Sequence, residues 1–138
     1  MVKPDYVLFD KDTTAIIFGN QEAAVQRMLD FDYLSGKERP SVAAVVNPSG
    51  GSKGFTKVFF GGDEILLPMY NKLGTAVEKH PEADVVINFA SFRSAYKVSI
   101  EALNYPTIKT LVIIAEGLPE RQTRELIALR KKLGKWII

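Results

Sequence analysis

Ser91-Phe92-Arg93-Ser94 sets two hydroxyls around one guanidinium. Arg93 in that setting can reach a phosphate with a forked pair of hydrogen bonds, while Ser91 or Ser94 caps a helix starting at the same point. Capping beside a solvated arginine explains the segment as well as binding does, and the two uses are compatible. Glu116 follows the aliphatic run 111–114. A carboxylate at the end of a buried strand needs a partner to stay charged, although the same residue could simply favour the N-terminus of the next helix.

Gly19-Asn20-Gln21 stands where a dinucleotide fold carries Gly-x-Gly-x-x-Gly, but only the first glycine is present. The two missing glycines would let the backbone approach a pyrophosphate and the helix pack tightly on its strand, so a nicotinamide dinucleotide is disfavoured. The helix start still offers unpaired N–H groups to a phosphate, and Gly19 would equally serve a plain tight turn. Asn47-Pro48-Ser49-Gly50-Gly51-Ser52-Lys53 combines small residues with a cation, as a phosphate-handling loop does. It lacks the Gly-Lys-Ser/Thr close of a P-loop, and an ordinary surface loop accounts better for its composition alone.

The elements that must position these residues alternate. Residues 14–18, 42–46, 84–89 and 107–115 read as strands, and the apolar core of the last is 111–114. Helical spacing marks 21–29 (Ala24, Val25, Met28, Leu29), 95–103 (Val98, Ala102, Leu103) and 120–133 (Leu126, Ile127, Leu129). Residues 57–60 and 65–67 flank a Gly61-Gly62 turn, and Pro68 fits the first turn of a helix running to Lys79 with Leu73, Ala76 and Val77 inward. His80, the sole histidine, lies beside Pro81 on the side of the fold away from the loops above; it closes a helix, and no Ser-His-Asp triad is supported. Residues 136–138 open a further strand, so the chain reads as a fragment of a longer polypeptide.

Strand–helix alternation with short connections implies an α/β fold, a Rossmann-like open parallel sheet with right-handed crossovers and helices on both faces. Ligands of such sheets bind beyond the C-terminal ends of the strands, where the loops 19–21, 47–52, 90–94 and 116–117 collect.

At 138 residues, 46% hydrophobic and 25% charged, the chain is long enough for one self-sufficient core. Without cysteine it has neither disulfides nor a thiolate metal site, and no metal is expected. A formal charge of +2 does not predict nucleic-acid binding, and no apolar stretch is long enough for a signal peptide or membrane span. The expectation is a cytoplasmic chain with a local site for a phosphorylated small molecule.

Longer runs carry a resemblance. Residues 26–32 (Gln26 to Asp32), 40–44, 87–96 (Ile87 to Tyr96) and 113–120 (Ile113 to Glu120) resemble the CoA-binding domain of ATP-citrate lyase, itself similar to the α subunit of succinyl-CoA synthetase. The resemblance extends from Asp12 onward. It implies that residues 1–138 are a CoA-binding domain, an N-terminal piece of a cytoplasmic enzyme. That enzyme converts citrate, CoA and ATP to acetyl-CoA, oxaloacetate, ADP and phosphate through phosphohistidine and citryl-CoA.

By position, Ser91, Arg93 and Ser94 match family residues that hold CoA, and Pro48-Ser49 match the segment beside its nucleotide end. Ser49 replaces the family's aromatic, which removes a stacking surface for adenine. Gly19, Asn20, Gln21 and Gln26 match the first CoA-cradling loop. Glu116 matches the glutamate that approaches the phosphohistidine, which a following domain would supply. ATP and Mg would act in domains outside these residues, and the fragment alone would catalyse nothing. The implied partners are CoA and the remaining domains or subunits of a homo- or hetero-oligomer. A stand-alone CoA- or nucleotide-sensing domain and a citryl-CoA synthetase subunit are the alternatives.

Overall fold

The structure, a computed structural model, describes residues 8–50 and 54–138. In chain order the elements are β1 (Ala15–Phe18), α1 (Glu22–Leu34), β2 (Val42–Val46), β3 (Phe55–Phe60), β4 (Asp63–Tyr70) and α2 (Leu73–Lys79). There follow β5 (Val85–Asn88), α3 (Ala95–Asn104), β6 (Thr110–Ile113), α4 (Glu120–Leu133) and β7 (Trp136–Ile137). The strands form one sheet in the order β3-β4-β2-β1-β5-β6-β7. Every pairing is parallel except the β3–β4 hairpin.

Strands without polar alternation need cover on both faces, because successive side chains point to opposite sides. Ile16 and Ile17 are both fully buried, one in each of two cores. Val25 and Leu29 of α1 cover Ile17, Val45 and the hairpin residues Val58 and Leu67. On the other face α2, α3 and α4 bring Leu73, Ala76, Leu103 and Leu126 onto Ile16, Val46, Val86 and Leu111. The fold class is the one the alternation implies: Rossmann-like, mainly parallel, with helices on both faces.

Three sequence expectations change. Pro68 does not open a helix but lies in β4, opposite Phe55 of β3, while the next residue, Met69, pairs with Val45 of β2. Its missing N–H falls where the strand passes from one partner to the other, at the margin of the ladder, and cross-strand pairing outweighs the preference for a helix start. α2 therefore starts at Leu73. α1 runs on to Leu34, beyond the expected end. Ile127 does not face the core and is 42% exposed: α4 packs on α3 and the short β7 at the margin of the sheet, where Leu126 is its one buried residue.

Among the described residues no helix is long and apolar enough to cross a membrane.

Candidate functional site

The chain leaves β1 toward β2 on one side and later returns to place β5 on the other, so the order reverses between β1 and β5. Loops leaving these strands turn to opposite faces, one into α1 and the other into α3, and a crevice opens between them. Backbone bonds extend the ladder to this rim. Gly19 N–H donates to Val46 C=O at 2.8 Å, Asn47 N–H to Tyr70 C=O at 2.8 Å, Phe89 N–H to Phe18 C=O at 2.9 Å and Ile114 N–H to Asn88 C=O at 3.1 Å. The exits of β4, β2, β1, β5 and β6 consequently stand side by side, and four of them carry the loops singled out in the sequence.

Gly19 has φ +118°, and a Cβ there would lie 3.1 Å from Phe89 Cβ. Only glycine allows that backbone and that approach. Asn20 and Gln21 are exposed beside it. Pro48 and Ser49 form an exposed turn closed by the Gly50 N–H bond to Asn47 C=O at 3.1 Å, with Ser49 Oγ donating to Asn47 Oδ1 at 3.3 Å. Gly51, Ser52 and Lys53 lie outside the described residues.

In the β5–α3 loop, Ser91 C=O accepts from the N–H groups of Ser94 at 3.0 Å and Ala95 at 2.8 Å. Neither serine hydroxyl caps α3: Ser94 occupies the N-cap position without a side-chain bond, and both hydroxyls are free among the described residues. Arg93 is exposed, its guanidinium carbon 5.6 Å from the centre of the Phe92 ring and unpaired with any described carboxylate. Such an arginine keeps all its donors available.

Glu116 departs from the expectation of a partnered carboxylate at a buried strand end. β6 ends at Ile113, Ile114 is already half exposed, and Glu116 stands in solvent before Gly117, whose φ is +81°. Water supplies the solvation that a buried carboxylate would have sought from a partner.

Gln26 is not brought to the rim in the same way. Its Nε2 donates to Phe59 C=O at 2.8 Å and Asp30 Oδ1 at 2.9 Å, and its Oε1 accepts Phe59 N–H at 2.9 Å. Both donors are engaged, so its amide is committed to joining α1 to the edge strand β3.

Two residues missed in the sequence belong here. Asn88, fully buried, sits under the β5 exit: its Nδ2 donates to Ala95 C=O and Ser99 Oγ, both at 3.1 Å, and its Oδ1 accepts Ala90 N–H at 2.9 Å. The signal was a lone amide ending an aliphatic strand. Lys72, exposed, follows β4 and so joins Arg93 as a cation on this rim. Reading Pro68 as a helix start had hidden it inside a helix.

His80 lies at the C-terminus of α2 as expected, its N–H bonded to Ala76 C=O at 3.0 Å and its ring between the Tyr70 hydroxyl at 2.9 Å and Glu82 at 3.3 Å. No group of metal-ligating side chains occurs among the described residues. A cavity of about 440 Å³ lies elsewhere: Met28, Phe31, Val85, Ile87 and Val112 line it between α1 and the open face of β5 and β6, and none of the candidate residues borders it. Most of the surface it exposes is apolar, although Arg27, Asp32 and Lys37 also border it, whereas the rim of the sheet carries the loops and hydroxyls suited to a phosphorylated ligand.

An open parallel sheet with its exposed polar loops gathered at the switch point is a Rossmann-like ligand-binding domain. Residues 10–117 match the CoA binding domain family, and the chain belongs to it. It is 50% identical over 136 residues to the probable ATP-citrate synthase subunit 1 of Schizosaccharomyces pombe, covering 99% of this chain and 22% of that protein. It is 52% identical over 131 residues to the probable ATP-citrate synthase of Dictyostelium discoideum, covering 95% of this chain and 21% of that one. The structure of ATP citrate lyase from Methanothrix soehngenii, in complex with citrate and coenzyme A, superposes with a TM-score of 0.94 at 50% identity, over 98% of this chain and 22% of that one. The chain thus spans about a fifth of the length of these relatives.

Proposed function

We propose that the chain is the CoA-binding part of an ATP-citrate lyase and holds CoA at the C-terminal rim of the sheet. The observation that supports this most is the likeness to the lyase solved with citrate and coenzyme A, at half identity over nearly the whole chain. The rim offers chemistry suited to that ligand. Arg93 and Lys72 supply cations for phosphates, the free hydroxyls of Ser91 and Ser94 supply donors, and Gly19 lets the backbone come close at the switch point. Asn20, Gln21, Pro48 and Ser49 flank the same crevice.

In this reading the complete enzyme joins citrate to CoA at the cost of ATP, through phosphohistidine and citryl-CoA, and releases acetyl-CoA and oxaloacetate. Glu116, standing free at the end of β6, would accept a proton from an imidazole brought by another part of the enzyme and hold that ring for phosphoryl transfer. ATP and magnesium would act outside these residues, and the enzyme would work in the cytoplasm as an oligomer.

Isothermal titration of the chain with CoA tests the reading, with NAD as control. Saturable heat with CoA and none with NAD is expected; binding of NAD in preference to CoA, or of neither at millimolar concentration, overturns it for the isolated domain.

A further inference from the structure

We infer that Asn88 is a positioning residue for the ligand loop: its buried amide holds residues 90–95 in the shape that presents Ser91, Arg93 and Ser94. The inference rests on the reading of the rim as the CoA site and goes beyond it, since Asn88 is fully buried and acts through the loop above it.

The β5–α3 connection is exposed from Ser91 to Ser94, and no side-chain cap fixes the start of α3. An uncapped helix start beneath an exposed loop would ordinarily fray. Asn88 prevents this from below by three bonds: one to Ala90 N–H at the beginning of the loop, one to Ala95 C=O in the first turn of the helix, and one to Ser99 Oγ a turn further on. Both ends of the loop are thereby tied to a single fully buried side chain. That side chain is also rigidly seated, because its own backbone is in register with Phe18 of β1 and Ile113 of β6. Buried amide bonds are costly to leave unmade, so the loop has one favoured geometry. Preorganisation of this kind raises affinity without a new contact, since the ordering cost is met during folding.

An amide is required for this task. Leucine has neither donor nor acceptor, aspartate would set a charge against the Ala95 carbonyl, and only asparagine at this length donates twice and accepts once.

The test compares Asn88→Ala, the gentler Ser99→Ala, and Val42→Ala as a destabilising control in the other core, at the start of β2 and so at the end of the sheet away from the rim. CoA titration and amide hydrogen exchange are run on each at a temperature where it is folded. The expected result is CoA affinity about tenfold weaker in Asn88→Ala and a few-fold weaker in Ser99→Ala, with Val42→Ala within twofold of wild type. Exchange should quicken at the amides of Ser94 and Ala95 while those of β1 and β2 stay protected. Wild-type affinity in Asn88→Ala, or an equal loss in Val42→Ala, overturns the inference, and Ser99→Ala decides it if Asn88→Ala does not fold. Failure of the wild type to bind CoA overturns the ligand assignment instead. The exchange pattern then still decides whether Asn88 holds the loop.

Discussion

Arg93 carries a full charge into solvent with its donors unspent, its guanidinium carbon 5.6 Å from the centre of the Phe92 ring. That pose suits a phosphate arriving from outside better than it suits an internal ion pair. Arg93→Ala should therefore weaken CoA about tenfold and dephospho-CoA much less, as expected for a lost charge-assisted bond to the 3′-phosphate. Equal losses for the two ligands, measured by titration, would remove Arg93 from that phosphate. The arginine and its flanking serines were legible in the sequence because their types and spacing are unusual at a strand exit. Their freedom from internal partners was not, since it depends on where caps and carboxylates fall in space.

Gln26 shows at the scale of elements how one side chain can act as a strand. Phe59 directs its N–H and C=O away from β4, and the amide of Gln26 meets both from α1. This closes part of the free edge of β3, which carries the exposed Phe55 and Phe59 and would otherwise invite pairing with another chain. Gln26→Ala should cost roughly 1–2 kcal/mol in denaturant unfolding and make association concentration-dependent in sedimentation. An unchanged midpoint and a strict monomer at every concentration would show that the edge needs no such seal.

The Tyr105 hydroxyl donates to Glu101 at 2.7 Å within the α3 terminus and sits close over Gly74 of α2. Burial, and then the Glu101 carboxylate, push the phenol up to about 12. A phenol held protonated in the folded state adds stability that is fully present below pH 10 and is lost as pH rises through 12. Absorbance titration should show a late-ionising component that shrinks in Tyr105→Phe, Tyr96 being also delayed by its bond to Glu125, and Tyr105→Phe should flatten the fall in stability over that range. A wild-type curve already flat between pH 10 and 12 would contradict the coupling.

For the whole molecule, composition, absent cysteine and strand–helix alternation determined one α/β domain whose loops meet at one rim. The reason is that buried strands and amphipathic helices are written locally, in runs and spacings that need no knowledge of distant residues. The longer runs around Arg93 and Glu116 also carried the family. Tertiary structure decided the rest. It turned Pro68 into a strand residue, because β4 found partners on both sides, and so brought Lys72 to the rim. It left Glu116 in water and committed Gln26 to an edge. It assigned Asn88 the role of a clamp between loop and helix. The outcomes for Pro68 and Gln26 depend on pairings between residues far apart in the chain, and those for Glu116 and Asn88 on burial that is set only when the sheet has been assembled.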